Sequence, residues 1–420
     1  MNHYDSRETR DPAARDAELM ARLATQIAHA QAAAPAYTEL LRGVDARSIT
    51  SRPALARLPV TRKHELLERQ QATRAADVFG GYSAIGWGAH SADGRQALRV
   101  FSSPGPIYEP EGRGTDYWRM ARALHAAGFR AGDLVHNCFS YHFTPAGSMM
   151  ETGAHALRCT VFPGGTGQTE QQVQAMAELK PAGYVGTPSF LKLIVEKAAE
   201  LGVALDSLKK ASVGGEAFPP SLRDWFSQRG VDAYQSYGTA DLGLVAYETS
   251  ARIGMVLDED VIVEIVRPGT GDPVPDGEVG EVVVTTLSAD YPLIRFGTGD
   301  LSAMLPGNCP TGRTNTRIKG WLGRADQAAK IRGMFVHPSQ VADIARRHPE
   351  VLKARLVISG AMANDRMNLC VEVEAPPEGL VQRIAGSIRE VTKLRGDVEL
   401  CAPGSLPNDG KVIEDSRSPA

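Results

Sequence analysis

Four short polar segments hold the residue types that chemistry needs. Gly214-Gly215-Glu216-Ala217-Phe218-Pro219 and Ser236-Tyr237-Gly238-Thr239-Ala240-Asp241 combine glycines with a carboxylate. Each follows a short apolar run, and open α/β sheets bind ligands just beyond the ends of such runs. Arg295-Phe296-Gly297-Thr298-Gly299-Asp300 is followed by Gly323-Arg324-Ala325-Asp326, and Pro407-Asn408-Asp409-Gly410-Lys411 comes late in the chain. A carboxylate accepts hydroxyl hydrogens, a guanidinium offers oxyanions a rigid donor fork, and an ammonium is a point charge on a long stem. Taken singly, a glycine-bearing turn is usually only a turn. Their order along the chain is what gives these four meaning.

The elements that must position them read as alternating units. Residues 13–34 are Ala-rich with Leu19, Leu23 and Ile27 four apart, one face of an amphipathic helix. From about residue 115, helical runs (Tyr117 to Ala127, Gln168 to Leu179, and those opened by Pro188 and by Pro219-Pro220) alternate with apolar runs. The latter are Leu134 to Cys138, Thr160 to Phe162, Tyr184 to Gly186, Ala211 to Val213 and Ala233 to Tyr237. Repeated βα units of this length predict a mainly parallel sheet with helices on both faces. After Glu248 the segments Val261 to Val266 and Glu281 to Thr286 are β-branched with Pro-Gly and Asp-Gly turns between them, which suits antiparallel pairing. From about residue 327 a compact α+β unit is expected: helix Pro338 to Arg347, strands Ala354 to Ser359 and Met367 to Val373, helix Gly379 to Leu394 and strand Val398 to Cys401. The fold class is therefore α/β, with mixed, mainly parallel sheets flanked by helices in a large N-terminal domain, and a small α+β C-terminal domain.

Composition bounds the function. The 420 residues are 43% hydrophobic and 23% charged, enough for two or three cored folding units. A net charge of −3 gives no global positive field toward nucleic acid or acidic lipid, so neither is expected as a partner. The five cysteines, 138, 159, 309, 370 and 401, are odd in number and include no C-x-x-C pair, which argues for reduced thiols. A charged N-terminus without an apolar signal region and the lack of a long apolar span point to the cytoplasm.

The order GGEAFP, YG-T-x-acid, TGD, GR-x-D-x-x-x-K and a late P-x-x-GK resembles the AMP-forming acyl-adenylating superfamily, and more narrowly its phenylacetate-CoA ligase branch. Supporting stretches are LPVTRKHEL at 58–66, PGGTGQTEQQV at 163–173, GTPSFL at 186–191, GEVGEVVVTTL at 277–287 and YPLIRFGTGDL at 291–301. The resemblance implies a nucleotide- and acyl-binding domain over residues 1–325 and a C-terminal lid over 326–420, hinged at Asp326. It implies ATP, Mg2+ and CoA as cofactors and a small aromatic acid as substrate. Gly214, Gly215, Glu216 and Ala217 would border the adenine, with Tyr237, Gly238 and Thr239 beside the nucleotide. Asp300 would hold the ribose, Arg324 ribose or phosphate, and Asp241 the magnesium. Lys411 would be the catalytic lysine of adenylation, countering charge that builds in the transition state. Gly333 would let the pantetheine thiol approach after the lid turns. Tyr141, Phe143 and Ser236 are the acyl-pocket candidates, with Ala146 and Gly147 leaving room for a flat ring.

The sequence departs from the family at one segment above all. The place of a Ser/Thr/Gly-rich phosphate loop is taken by SSPGPIYEPEG, residues 102–112. Three prolines there lack an N–H, and Glu109 and Glu111 would oppose phosphate at a cost on the order of 4 kcal/mol per ~4 Å contact. The zinc-ligand cysteines of some relatives are incomplete: Cys309 remains, Thr311 occupies the other place and Glu248 stands where another ligand would be, so no structural zinc is expected. Two readings follow. One is an aryl-CoA ligase working through an acyl-AMP. The other is a non-adenylating acyltransferase moving an aryl-acyl group between CoA and an acyl carrier protein thiol. A homodimer is the default closed assembly.

Overall fold

The computed structural model describes residues 3–88, 95–325, 329–332, 334–360 and 365–417. The chain divides into two compact units. The first is Met1–Val263, Val284–Phe296 and Leu305–Gly320; the second is Glu264–Val283, Gly297–Met304 and Trp321–Ala420. The second unit thus takes in two earlier segments besides the C-terminal one.

In the first unit the expected βα alternation is present. Strands Thr160–Phe162, Leu134–Asn137, Gly183–Gly186, Lys210–Val213 and Asp232–Thr239 lie side by side in that order, all parallel. Gly243–Glu248 and Met255–Leu257 then continue the sheet antiparallel, followed by Arg317–Ile318. Val135, Val185, Ala211 and Val213 are fully buried, as strands covered on both faces require. The crossover helices start where the sequence allows. Pro188–Glu200 has proline in its first turn and Thr187 accepting the Phe190 N–H. Helix Pro12–Ala33 turns Leu19, Leu23 and Ile27 inward.

The segment that stands in the place of a phosphate loop is a hairpin. Arg99–Ser103 pairs antiparallel with Ile107–Glu111, placing Phe101 opposite Glu109 and Ser103 opposite Ile107. The prolines are tolerated because this ribbon has only two strands, each with a free edge.

In the second unit a four-stranded sheet runs Asp397–Cys401, Arg366–Glu372, Lys353–Ser359, Ile413–Asp415. Helices Pro338–Arg346 and Leu380–Thr392 pack Val341, Ile344, Ile384 and Ile388 into its core. Strand Ile413–Asp415 adds to the predicted set and joins Lys353–Ser359 in parallel. It fixes the segment just before it, residues 407–411. The strands Val261–Val266, Gly280–Thr286 and Phe296–Ser302 are all buried.

Candidate active site

Three strand ends of the first unit converge. Leu134–Asn137 leads through residues 138–145 into helix Ala146–Ala156, Lys210–Val213 ends in Gly214-Gly215, and Asp232–Thr239 ends in Ala240-Asp241. Together they enclose a cavity of about 130 Å³. Its apolar wall is Met120, Phe139, Met149 and Met150, with Pro145 and Ala146 beside them. Gly214, Gly215, Gly238 and Ala240 give it backbone walls, and Thr144, Ser236 and Thr239 its hydroxyls. Two of the glycines have no alternative: a Cβ on Gly214 would meet the Ser236 carbonyl at 2.9 Å, and one on Gly238 the Gly243 carbonyl at 2.6 Å.

Gly214, Gly215, Ser236, Gly238 and Thr239 are thus brought together as the sequence suggested. Tyr237, buried between them in the chain, pairs with Ala246 just before a bulge in the strand. Glu216 and Ala217 are exposed, and the Glu216 carboxylate accepts the Ser189 N–H at 2.6 Å. Tyr141 and Phe143 do not line the cavity. The Tyr141 hydroxyl donates to Glu151 at 2.8 Å and accepts from Asn137 at 2.7 Å, while burial and Glu151 raise its pKa. Phe143 is 80% exposed. The three methionines were not expected, because methionine in a helix is ordinarily gap-filling core. The one available signal was the Met149-Met150 pair in the first turn and a half after the loop.

The hairpin carboxylates turn inward. Glu109 accepts the Ser103 N–H at 3.2 Å and meets its hydroxyl. Burial first, and then the Asp241 carboxylate, push the Glu109 pKa up to about 8, so it is mostly neutral at neutral pH. Glu111 pairs with Arg99 at 3.2 Å and accepts from the Ser148 hydroxyl, and burial raises its pKa too. The repulsion anticipated between Glu109 and a phosphate is therefore reduced, and Arg99 offsets the charge of Glu111. Two further backbone donors of the segment are taken: Ser102 N–H goes to the Phe143 carbonyl and Tyr108 N–H to Gln70.

Asp241 is buried, its Oδ2 held by Lys63 Nζ at 2.8 Å and its Oδ1 without a hydrogen-bond partner. Lys63 was missed as a site residue because 178 positions separate the pair. An orphaned carboxylate oxygen is suitable chemistry for Mg2+, which commonly takes one or two protein carboxylates and completes its shell with water and phosphate. Among the described residues no cluster of three or more His, Cys, Asp or Glu is arranged around a metal position. Cys309 lies within 3.3 Å of the Thr249 hydroxyl and 3.1 Å of that of Thr311.

In the second unit Asp300 and Arg324 meet. Asp300 Oδ1 accepts from Arg324 Nη1 and from Trp321 Nε1, each at 3.0 Å. Lys411 sits on a fastened tip. Asp409 accepts the Lys411 N–H, Asn408 accepts the Val279 N–H at 3.2 Å, and a Cβ on Gly410 would meet Val279 at 2.6 Å. Asp326 and Gly333 lie outside the described residues. No helix among the described residues is long and apolar enough to cross a membrane.

A parallel α/β sheet carries glycine loops around an apolar cavity at its carboxyl edge, where open α/β sheets bind ligands, and the AMP-binding enzyme family matches residues 115–288. The phenylacetate-coenzyme A ligase of Aromatoleum evansii is 31% identical over 86% of this chain and 82% of its own. That of Thermus thermophilus is 30% identical over 92% of both. The chain belongs to the phenylacetate-coenzyme A ligase family and is an AMP-forming acid–thiol ligase. The open form of 2-hydroxyisobutyryl-CoA ligase, solved with 2-HIB-AMP and CoA, superimposes with a TM-score of 0.72 at 27% identity, covering 97% of this chain and 92% of that one. In its postadenylation state with 2-HIB-AMP the TM-score is 0.71 at 26% identity, covering 99% and 93%.

Proposed function

We propose that the protein uses ATP to convert a compact aromatic acid to its acyl-AMP and passes the acyl group to CoA. The observation that carries this reading is the cavity itself. At about 130 Å³ with a mainly apolar wall, it compares with the ~150 Å³ apolar cavity known to take benzene. A single ring or a short branched acyl group fits. Family membership supports the two half-reactions, and the phenylacetate and 2-hydroxyisobutyryl groups that the relatives activate support an aryl or small branched acid.

In this reading Gly214 to Ala217 and Tyr237 to Thr239 bind the nucleotide, Asp300 and Arg324 hold ribose and phosphate, and Ser236 borders the acyl group. Lys411 counters the negative charge that develops as carboxylate attacks the α-phosphate. Mg2+, when bound, would offset phosphate charge, with Asp241 Oδ1 as its protein oxygen. The lid of residues 326–420 would turn at Asp326 between the half-reactions. Tyr141 and Phe143 serve the acyl end only by shaping its loop.

A second reading is favoured by one observation: the Ser102, Ser103 and Tyr108 N–H groups of the 99–111 hairpin are bonded within the protein and so are not offered to pyrophosphate. On that reading the protein transfers an aryl-acyl group between CoA and a carrier thiol. Incubation with ATP, magnesium and a panel of aromatic acids decides between them. Pyrophosphate and AMP release with one of the acids is expected. Acyl exchange between thiols with no release from any acid would overturn the ligase reading.

A further inference from the structure

The second unit contains a cleft that the proposed reaction does not account for. It measures about 350 Å³, within the ~300–1,000 Å³ range of small-molecule sites. Its floor is apolar: Val341, Ala345, Val351, Leu352 and Val412. Four cations line it, Arg267, Arg346, Lys353 and Lys411, against two acids, Asp272 and Glu278.

These cations are poorly neutralised. Arg267 Nη1 donates to the Leu352 carbonyl at 3.1 Å and Lys353 Nζ to that of Pro407 at 3.1 Å. Among the described residues neither has a carboxylate partner. Arg346 has Asp343 only at 3.7 Å and is mostly exposed. His348, hydrogen-bonded to Ser387 at 2.9 Å, also lines the cleft, and burial lowers its pKa so that it adds no charge at neutral pH. A carbonyl satisfies the geometry of a donor but leaves its formal charge uncompensated. An apolar floor under a net cationic lining thus selects a molecule with an oxyanion head and an apolar body, and the guanidinium fork favours a carboxylate.

The geometry points to a binding site in this cleft for an organic carboxylate with an apolar tail, separate from the acyl cavity of the first unit. The tail covers Val341 and Ala345, and the head meets Arg267 and Lys353. The cleft shares Lys411 with the proposed reaction, so the test reads binding and not turnover.

Calorimetric titration of the full chain with octanoate tests it. Saturable binding is expected, with octan-1-ol and inorganic phosphate each about tenfold weaker or worse, since each lacks one half of the recognised molecule. Ala345→Trp fills the floor and is expected to remove octanoate binding. Arg267→Gln, at an exposed position, is expected to weaken it about fivefold or more while leaving the thermal unfolding midpoint unchanged. The proposal is overturned if octanoate gives no saturable heat, if octan-1-ol or phosphate binds as tightly, or if Arg267→Gln leaves its affinity intact.

Discussion

Lys63 Nζ stands 2.8 Å from Asp241 Oδ2, and the side chain it holds has no exposed surface at all. The Lys63 side chain is 35% exposed, so the pair spans the edge of the first unit's interior. It ties the segment 58–66 to the loop that ends strand Asp232–Thr239.

Removing the cation strands the carboxylate. Lys63→Met is expected to cost about 2–4 kcal/mol, somewhat below the cost of breaking a fully buried pair because the lysine is partly solvated. Adding Asp241→Asn to Lys63→Met should return more than half of the loss. Urea unfolding of the two variants checks both statements; a double variant no more stable than the single one would contradict them.

Glu109 makes stability depend on pH in a defined direction. Its folded pKa of about 8 lies above the ordinary carboxyl value, so the folded state holds the extra proton between the two. Stability therefore falls as pH rises through that window and levels off above it. Glu109→Gln removes the titration. The variant should match the parent near pH 5 and exceed it near pH 9 by at least about 1 kcal/mol, as read from melting temperatures across pH. A constant offset between the two curves would contradict the assignment.

Lys411→Ala should reduce acid-dependent pyrophosphate release by at least about 100-fold, the scale of losing one charge-stabilising group in a transition state. The residue is exposed, so the unfolding midpoint should not move. Full retention of release would take Lys411 off the reaction.

The cavity wall predicts selectivity. Ala146→Leu adds volume against Met149 and Met150 and should lower kcat/KM for a ringed acid by about 10- to 200-fold, the range of a methylene-scale misfit. Met150→Ala should relax the preference toward larger acids. Competition between a single-ring acid and its para-substituted analogue, assayed with both variants, reads the shift.

Much of this was legible in the residues. The glycine loops after strands Lys210–Val213 and within Asp232–Thr239 could be placed because apolar runs and proline-opened helices alternate so regularly around them. Asp300 and Arg324 could be paired as functional candidates, though not as partners to each other, since a backbone bridge between residues 300 and 324 leaves no periodic trace. SSPGPIYEPEG hid its hairpin contacts for a physical reason. Read as a loop, its glutamates look like repulsive surface charge. Folded as a hairpin, Glu109 reaches back across the turn to Ser103, and Glu111 reaches Arg99 and Ser148, contacts that no local pattern announces. The methionine wall was hidden differently, because a residue that fills gaps in cores and one that lines a substrate chamber have the same hydrophobic periodicity. Strand Ile413–Asp415 was too short to be seen without its neighbour.

Met120, Met149 and Met150 expose 3%, 7% and 4% of their surface, and all three line the cavity proposed for the acyl group. Thioethers oxidise to polar, bulkier sulfoxides. Peroxide that enters this cavity should therefore lower activity from within, an occupying acid should protect it, and methionine sulfoxide reductases should restore it once the altered side chains come within their reach.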